Sequence, residues 1–262
     1  MAGNLRFFWK LMKTNVAQST SLKLNFLFET LFMVANDILY FMVWIILFAA
    51  FQEINGWGIR HVMLMEAIAV TSYAIYAFCF RGVADTLAGY IERGELDTFI
   101  LQPRNILVNV AGSRSNPAAM GDLLCGLVLF VWSGFVTFQN FPIVLLSILA
   151  GFLAFFSIGI IIGSLAFYMK DVEGWGQQIM NIFLHLTMQP GSIYTGWTRM
   201  FLMFVLPAGI ISFMTVEAIT EPGISTILTM LGVTAAFFLV AVWFFYRGIR
   251  RYESGNAFGV RG

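Results

Sequence analysis

The strongest constraint on this chain is a series of long apolar runs that carry almost no charge. Residues 25–50, for example, contain only Glu29 and Asp37 as ionisable acids and no Lys or Arg. A helix needs roughly 20 mainly apolar residues to cross the hydrocarbon core of a bilayer. Six stretches meet that need: 25–50, 62–80, 120–138, 143–168, 177–196 and 225–246. Backbone polar groups in lipid must be satisfied within the spanning segment itself, so such runs become helices. The expected fold is an all-α polytopic membrane protein, a single membrane domain over residues 1–262. Charged residues make up 11% of the chain, against about 25% in an ordinary soluble domain.

A further apolar stretch, 201–216, competes to be a seventh span, but it is short and holds Pro207 and Gly209. Charge decides the count. With six spans and an inside N-terminus, segments 1–23, 81–114, 169–173 and 247–262 lie inside and hold thirteen of the fifteen Lys and Arg residues. Only Arg60 and Arg199 fall outside, which is the positive-inside pattern. A seventh span would move the basic C-terminal segment outside. Residues 197–220 are therefore expected to form outer re-entrant half-helices before the last span, with their broken backbone buried in protein or wetted by a cavity.

Residues 1–23 carry Arg6, Lys10, Lys13 and Lys23 and no acid. Leu5, Phe8, Trp9, Met12 and Val16 recur at helical spacing. A basic helix with an aromatic apolar face lies in the membrane interface rather than crossing it. No short apolar core with a small-residue cleavage site is present, so this segment is expected to stay on the mature chain. Gly159 and Gly163 form a GxxxG pair extended by Ala166. Such a face serves close packing within the chain or a seam between subunits. Cys79 and Cys125 both sit in apolar runs and read as small core residues.

Ionisable groups inside apolar runs are costly and face protein or water. Glu29 and Asp37 in the first run, Glu66 in the second and His185 in the fifth are such groups. Glu29 and Asn36 are seven residues apart and share a helical face, with Asp37 beside it. These five residues are candidates for lining a translocation pathway. The structural alternative pairs Glu29 with Lys23 near the inner interface, hydrogen-bonds Asp37 inside the bundle and makes His185 a core histidine. No enzyme site emerges: His61 and His185 lie on different segments, and neither a metal-binding cluster nor a His-based triad is easily built. The chain also lacks the GxxxxGK[ST] loop that cradles nucleotide phosphates.

The polar exception is Gly94-Glu95-Leu96-Asp97-Thr98-Phe99-Ile100-Leu101-Gln102-Pro103-Arg104-Asn105. Gly94 breaks the helix before it, and Pro103 stops any helix begun after Gly94. Between them Leu96, Phe99 and Ile100 share a face, and Glu95 and Asp97 occupy a first turn where the helix dipole favours acids. A two-turn amphipathic helix at the inner membrane surface is expected, or else a plain loop joining two spans.

This run resembles the G-x-L-D-x-x-L-x-x-P signature of a six-span branch of type-2 ABC-exporter permeases, with isoleucine at position 100 in place of leucine. The basic N-terminal helix, the breaks at Pro190 and Pro207 and the terminal Arg-Arg-Tyr-Glu-Ser-Gly at 250–255 are similar too, whereas Met214-Thr215-Val216 departs from a stretch that commonly contains proline. The resemblance implies a half-transporter of a prokaryotic cell (inner) membrane, both termini cytoplasmic, paired with itself or a sister permease. It implies no cofactor on this chain, since ATP and Mg are bound by a separate ATP-binding-cassette ATPase, and no nucleic-acid partner. Gly94, Leu96, Asp97, Phe99, Ile100, Pro103 and Arg104 would then form the ATPase-coupling helix, with Lys170 to Gly174 as a smaller second contact. The competing classes are a stand-alone secondary carrier or channel and an integral-membrane enzyme. A carrier predicts inverted repeats with broken helices in both halves, whereas the breaks here cluster in the C-terminal half.

Overall fold

A computed structural model of the chain describes residues 2–170, 172 and 174–252, with side chains from Phe8 onward. Among these residues the fold is helical, and four helices are long and apolar enough to span a membrane. They are α2 (Lys23–Ala50), α3 (Ile59–Cys79, continued after a bend at Phe80 and Arg81 by α4, Gly82–Glu92), α8 (Phe141–Ser164) and α12 (Ile224–Ile249). The first, second, fourth and sixth expected spans are thereby found.

The third and fifth are shorter than expected. Helix α7 covers Met120–Ser133 and α9 covers Trp175–Thr187. At 14 residues α7 rises only about 21 Å, short of the ~30 Å hydrocarbon core. It stops at Gly134, whose φ of +69° is left-handed, although the sequence stays apolar through Phe138. Asn140 fixes the next turn by accepting from the Thr137 amide and donating to the Phe135 carbonyl. Helix α9 ends before Pro190, which has no amide to donate and pushes Gln189 out of helical backbone.

The centre of the bundle is α3. Nearly every residue from Val62 to Ala77 is buried, and it packs chiefly on α7 and α8. Small residues make the close approach possible. A methyl on Gly126 of α7 would collide with Thr71, and one on Gly151 of α8 with Ser72. The GxxxG pair belongs to the same contact: Gly159 receives Tyr76, and Gly163 lies on the Val83 carbonyl. That face is spent on packing within the chain. Helix α12 lies along α8.

In contrast, α2 buries only Asp37, Phe41 and Trp44, a stripe at i, i+4 and i+7, and exposes Phe28, Phe32, Leu39 and Ile46. Helix α1 (Ala2–Ser21) precedes it and docks by Phe8, stacked 5.0 Å from Phe80, and by Asn15, which donates to Gly112 and Ser115. Met12 is buried and Trp9 is exposed. Leu5 and Arg6 have no described side chains.

Residues 81–114 do not form a loose loop. Helix α4, the single turn α5 (Asp97–Ile100) and α6 (Ile106–Ala111) make a finger, with α4 packed on α8, α9 and α6. Apart from Arg60 and Arg199, every described Lys and Arg lies at the end of the bundle where this finger sits. At the opposite end, residues 197–220 are broken into short pieces. Helix α10 (Gly196–Phe204), a π-turn over Ile210–Met214 and α11 (Thr215–Thr220) replace a continuous span, and the stretch from Ala208 to Ile219 is largely buried. Arg199 bonds Glu217 there and covers the Phe213 ring.

Candidate functional site

A cavity of about 600 Å³ opens between α2, α3, α7, α9 and the basic end of the bundle. Helix α2 contributes Glu29, Met33, Asn36 and Asp37, which recur on one face because 3.6 residues complete a turn. Asp37 stands near the middle of this 28-residue helix. Across from it are Tyr73 of α3, Asp122 in the first turn of α7 and Asn181 of α9. Arg81, Arg114 and Asn116 line the basic end.

The charges in this cavity are unevenly matched. Asp85 of α4, its side chain only 3% exposed, receives Arg81 Nε and lies 3.9 Å from Arg114 Nε. Gln177 of α9 donates to the same Oδ2 at 3.3 Å. One carboxylate thus holds both arginines and ties α4 to α9. Glu29, Asp37 and Asp122 form no ion pair among the described residues. Asp37 is 9% exposed, and its Oδ2 has no hydrogen-bond partner.

The second candidate region is the tip of the finger. Helix α4 ends in a left-handed Gly94 with φ of +70°, and the amides of Glu95 and Leu96 both donate to the Tyr90 carbonyl. This closure is a Schellman motif, in which a residue without Cβ takes the left-handed position. It turns Leu96 back into the chain's own core, where it is fully buried. The expected two-turn helix is accordingly a single turn, Asp97–Ile100. Phe99 packs 4.8 Å from the Tyr90 ring, whereas Ile100 is partly exposed and Leu101 is 83% exposed. Beyond Pro103, Asn105 caps α6 by accepting from Val108 and donates to the Tyr246 hydroxyl of α12. Asn109 donates to Gln102 at 2.7 Å. In the second inner turn Val172 packs on Ala88 and Ala166, while Asp171 and Glu173 lie outside the described residues, as does the terminal stretch from Glu253.

The family model described as "ABC-2 family transporter protein" matches residues 34–256. The chain belongs to that family. No curated protein sequence matches it. In this ABC-2 transporter the matched region begins inside α2 and takes in Asp37, the whole finger and α12, but leaves out α1 and Glu29. It is a transmembrane permease of the ABC class.

Of the five residues expected along a pathway, Glu29, Asn36 and Asp37 meet in this cavity of the ABC-2 transporter. Glu66 does not line it and is buried in α3. His185 does not line the cavity; it stacks 5.6 Å from Tyr40, whose hydroxyl accepts from Gln189. Asp122, Tyr73, Asn181 and the Asp85 hub were not expected from the sequence. Asp122 had a readable signal, an acid just inside an apolar run. Asn181 had a weaker one, its i+4 spacing from Gln177 and from His185 on one helix face.

Proposed function

We propose that this ABC-2 transporter is the membrane-spanning permease subunit of an ATP-driven exporter, and that the cavity around Asp37 forms half of its cargo path. The observation that carries this reading is the position of the cavity. It runs from the basic end of the bundle to the middle of α2 and is lined by polar groups that a lipid-facing or purely structural bundle would not require. The positive-inside rule makes the basic end cytoplasmic, with both termini there, in a prokaryotic cell membrane. A second permease subunit, a copy or a sister, supplies the other half. The exposed apolar sides of α2 and α12 leave room for that subunit and for lipid.

A separately encoded ATPase, holding ATP and Mg, docks on residues 94–104. Ile100 and Leu101 offer it exposed apolar surface, with Asp97 and Arg104 alongside, while Leu96 and Phe99 stiffen the tip from within. Closure of two ATPases moves the finger. Through the Asp85 contacts to Arg81, Arg114 and Gln177, α4 carries that movement to the cavity mouth and to α9. The nucleotide state then sets the populations of inward-open and outward-open arrangements.

Leu101→Asp tests the docking site. The side chain is exposed, so the chain still folds, but co-purification of the ATPase falls by about tenfold as a charge replaces an interface anchor. Undiminished co-purification together with normal transport sinks the assignment.

A further inference from the structure

A second cavity, of about 440 Å³, lies between α2 and α7 on the outer side of the bundle. Its walls are Ile38, Phe41 and Met42 of α2 facing Leu124, Val128 and Trp132 of α7. Ile38, Met42, Leu124, Val128 and Trp132 are all exposed, so the groove is open along its length to the surroundings of the helices. Among the described residues only one charged group lines it, Asp37, and that same Asp37 lines the polar cavity. One carboxylate therefore stands at the junction of a wet chamber and a greasy groove.

The chemistry of the junction is specific. Asp37 keeps an unpartnered oxygen in a position that is nine-tenths buried. Asp122 lines the same chamber, and Glu66 of α3 is a further buried acid. Arg81 and Arg114 line the basic end of the chamber and are engaged by Asp85. A buried unpaired carboxylate is costly unless a counter-charge arrives. No three His, Cys, Asp or Glu side chains among the described residues are grouped to hold a metal ion.

We propose that the two cavities are one binding site for an amphipathic organic cation, whose charged head sits between Asp37 and Asp122 and whose hydrocarbon part lies in the α2–α7 groove. The cargo enters sideways from the bilayer along the groove, and its head leads into the polar chamber. This deepens the permease reading and rests on it.

The probe is dodecyltrimethylammonium at submicellar concentration, bound to the full-length permease in lipid nanodiscs and corrected with empty nanodiscs. Tetramethylammonium and dodecyl sulfate serve as the head-only and opposite-charge comparators. Saturable binding of the long-chain cation is expected, with the head-only cation and the sulfate each weaker by about tenfold or more. Asp37→Asn is expected to weaken the long-chain cation by about tenfold. Val128→Trp fills the groove and should bring the two cations to similar affinity. Equal binding of dodecyl sulfate, or an unchanged affinity in Asp37→Asn, overturns the proposal. So does a Val128→Trp variant that keeps its affinity but loses self-association, since the groove would then be a seam between two copies.

An independent measurement leaves the groove untouched. Cys79→Ala makes Cys125, which sits beside Asp37 in the groove, the single thiol of the chain. Saturating long-chain cation should slow its reaction with N-ethylmaleimide several-fold; an unchanged rate counts against the site. Binding needs no ATPase. Loss of the ATPase partner with binding intact would overturn the permease reading alone, and unchanged Asp37→Asn binding with normal ATPase coupling would overturn this site alone.

Discussion

Asp37 lines the cavity and Asp85 grips the arginine beside it; both side chains are little exposed, and their surroundings are opposite. Asp85 is gripped by Arg81, approached by Arg114 and bonded by Gln177. Asp37 keeps an oxygen with no partner, and Asp122 faces the same space. A carboxylate supplied with partners from within the chain holds helices together. One without them is an unfilled position, retained at a cost to the fold. Burial alone does not separate the two roles; pairing does.

That contrast can be broken at either end. The largest effect is expected from Asp85→Ala, which leaves two arginines without their counter-charge and should lower unfolding stability by about 3 kcal/mol. Thermal denaturation of the purified protein reads it, and an unchanged midpoint would mean that Asp85 is not the structural member of the pair. Next comes Asp37→Asn, expected to keep or raise the midpoint while transport by the assembled complex falls about tenfold, since an isosteric amide removes an uncompensated charge without a void. A drop in stability here would place Asp37 with Asp85. The smallest effect is expected from Gln177→Leu, which removes one hydrogen bond to a carboxylate and should cost about 1 kcal/mol. Its more telling readout is ATPase stimulation by cargo, which should weaken if the α4–α9 tie carries the coupling.

Much of this was legible in the sequence. Helices α2, α3, α8 and α12 follow from length and hydropathy, because nothing interrupts their runs. The ends of the third and fifth spans were misplaced for a definite reason. Hydropathy cannot see that Gly134 adopts a left-handed turn before the apolar Phe135, Val136 and Phe138, and the expected fifth span runs on to residue 196 although Pro190 within it is itself a readable break. Gly94 was readable as a stop. The role of Leu96 was not: helical spacing grouped it with Phe99 and Ile100 as partner-facing, but the turn closed by Gly94 sends it inward. The clustering of Glu29, Asn36 and Asp37 came from the helical repeat. The Asp85 hub did not, since its contacts to Arg114 and Gln177 cross from one helix to another and no local pattern encodes them.

The narrow buried stripe of α2 has a mechanical consequence. Three inward side chains, Asp37, Phe41 and Trp44, are its buried share of the bundle, and apart from Glu29 and Asn36 on the cavity side its exposed surface is mainly apolar. In a bilayer, moving such a helix outward trades protein contact for lipid contact with no hydrophobic restoring force between helices. The opposing surface, α3 sealed against α7 and α8 by glycines that tolerate no methyl, cannot yield without collisions. The chamber therefore has one rigid wall and one compliant wall. In the proposed permease, changes in chamber size fall on α2, so the proposed path accepts cargoes of different bulk while the packing of α3 on α7 and α8 stays closed.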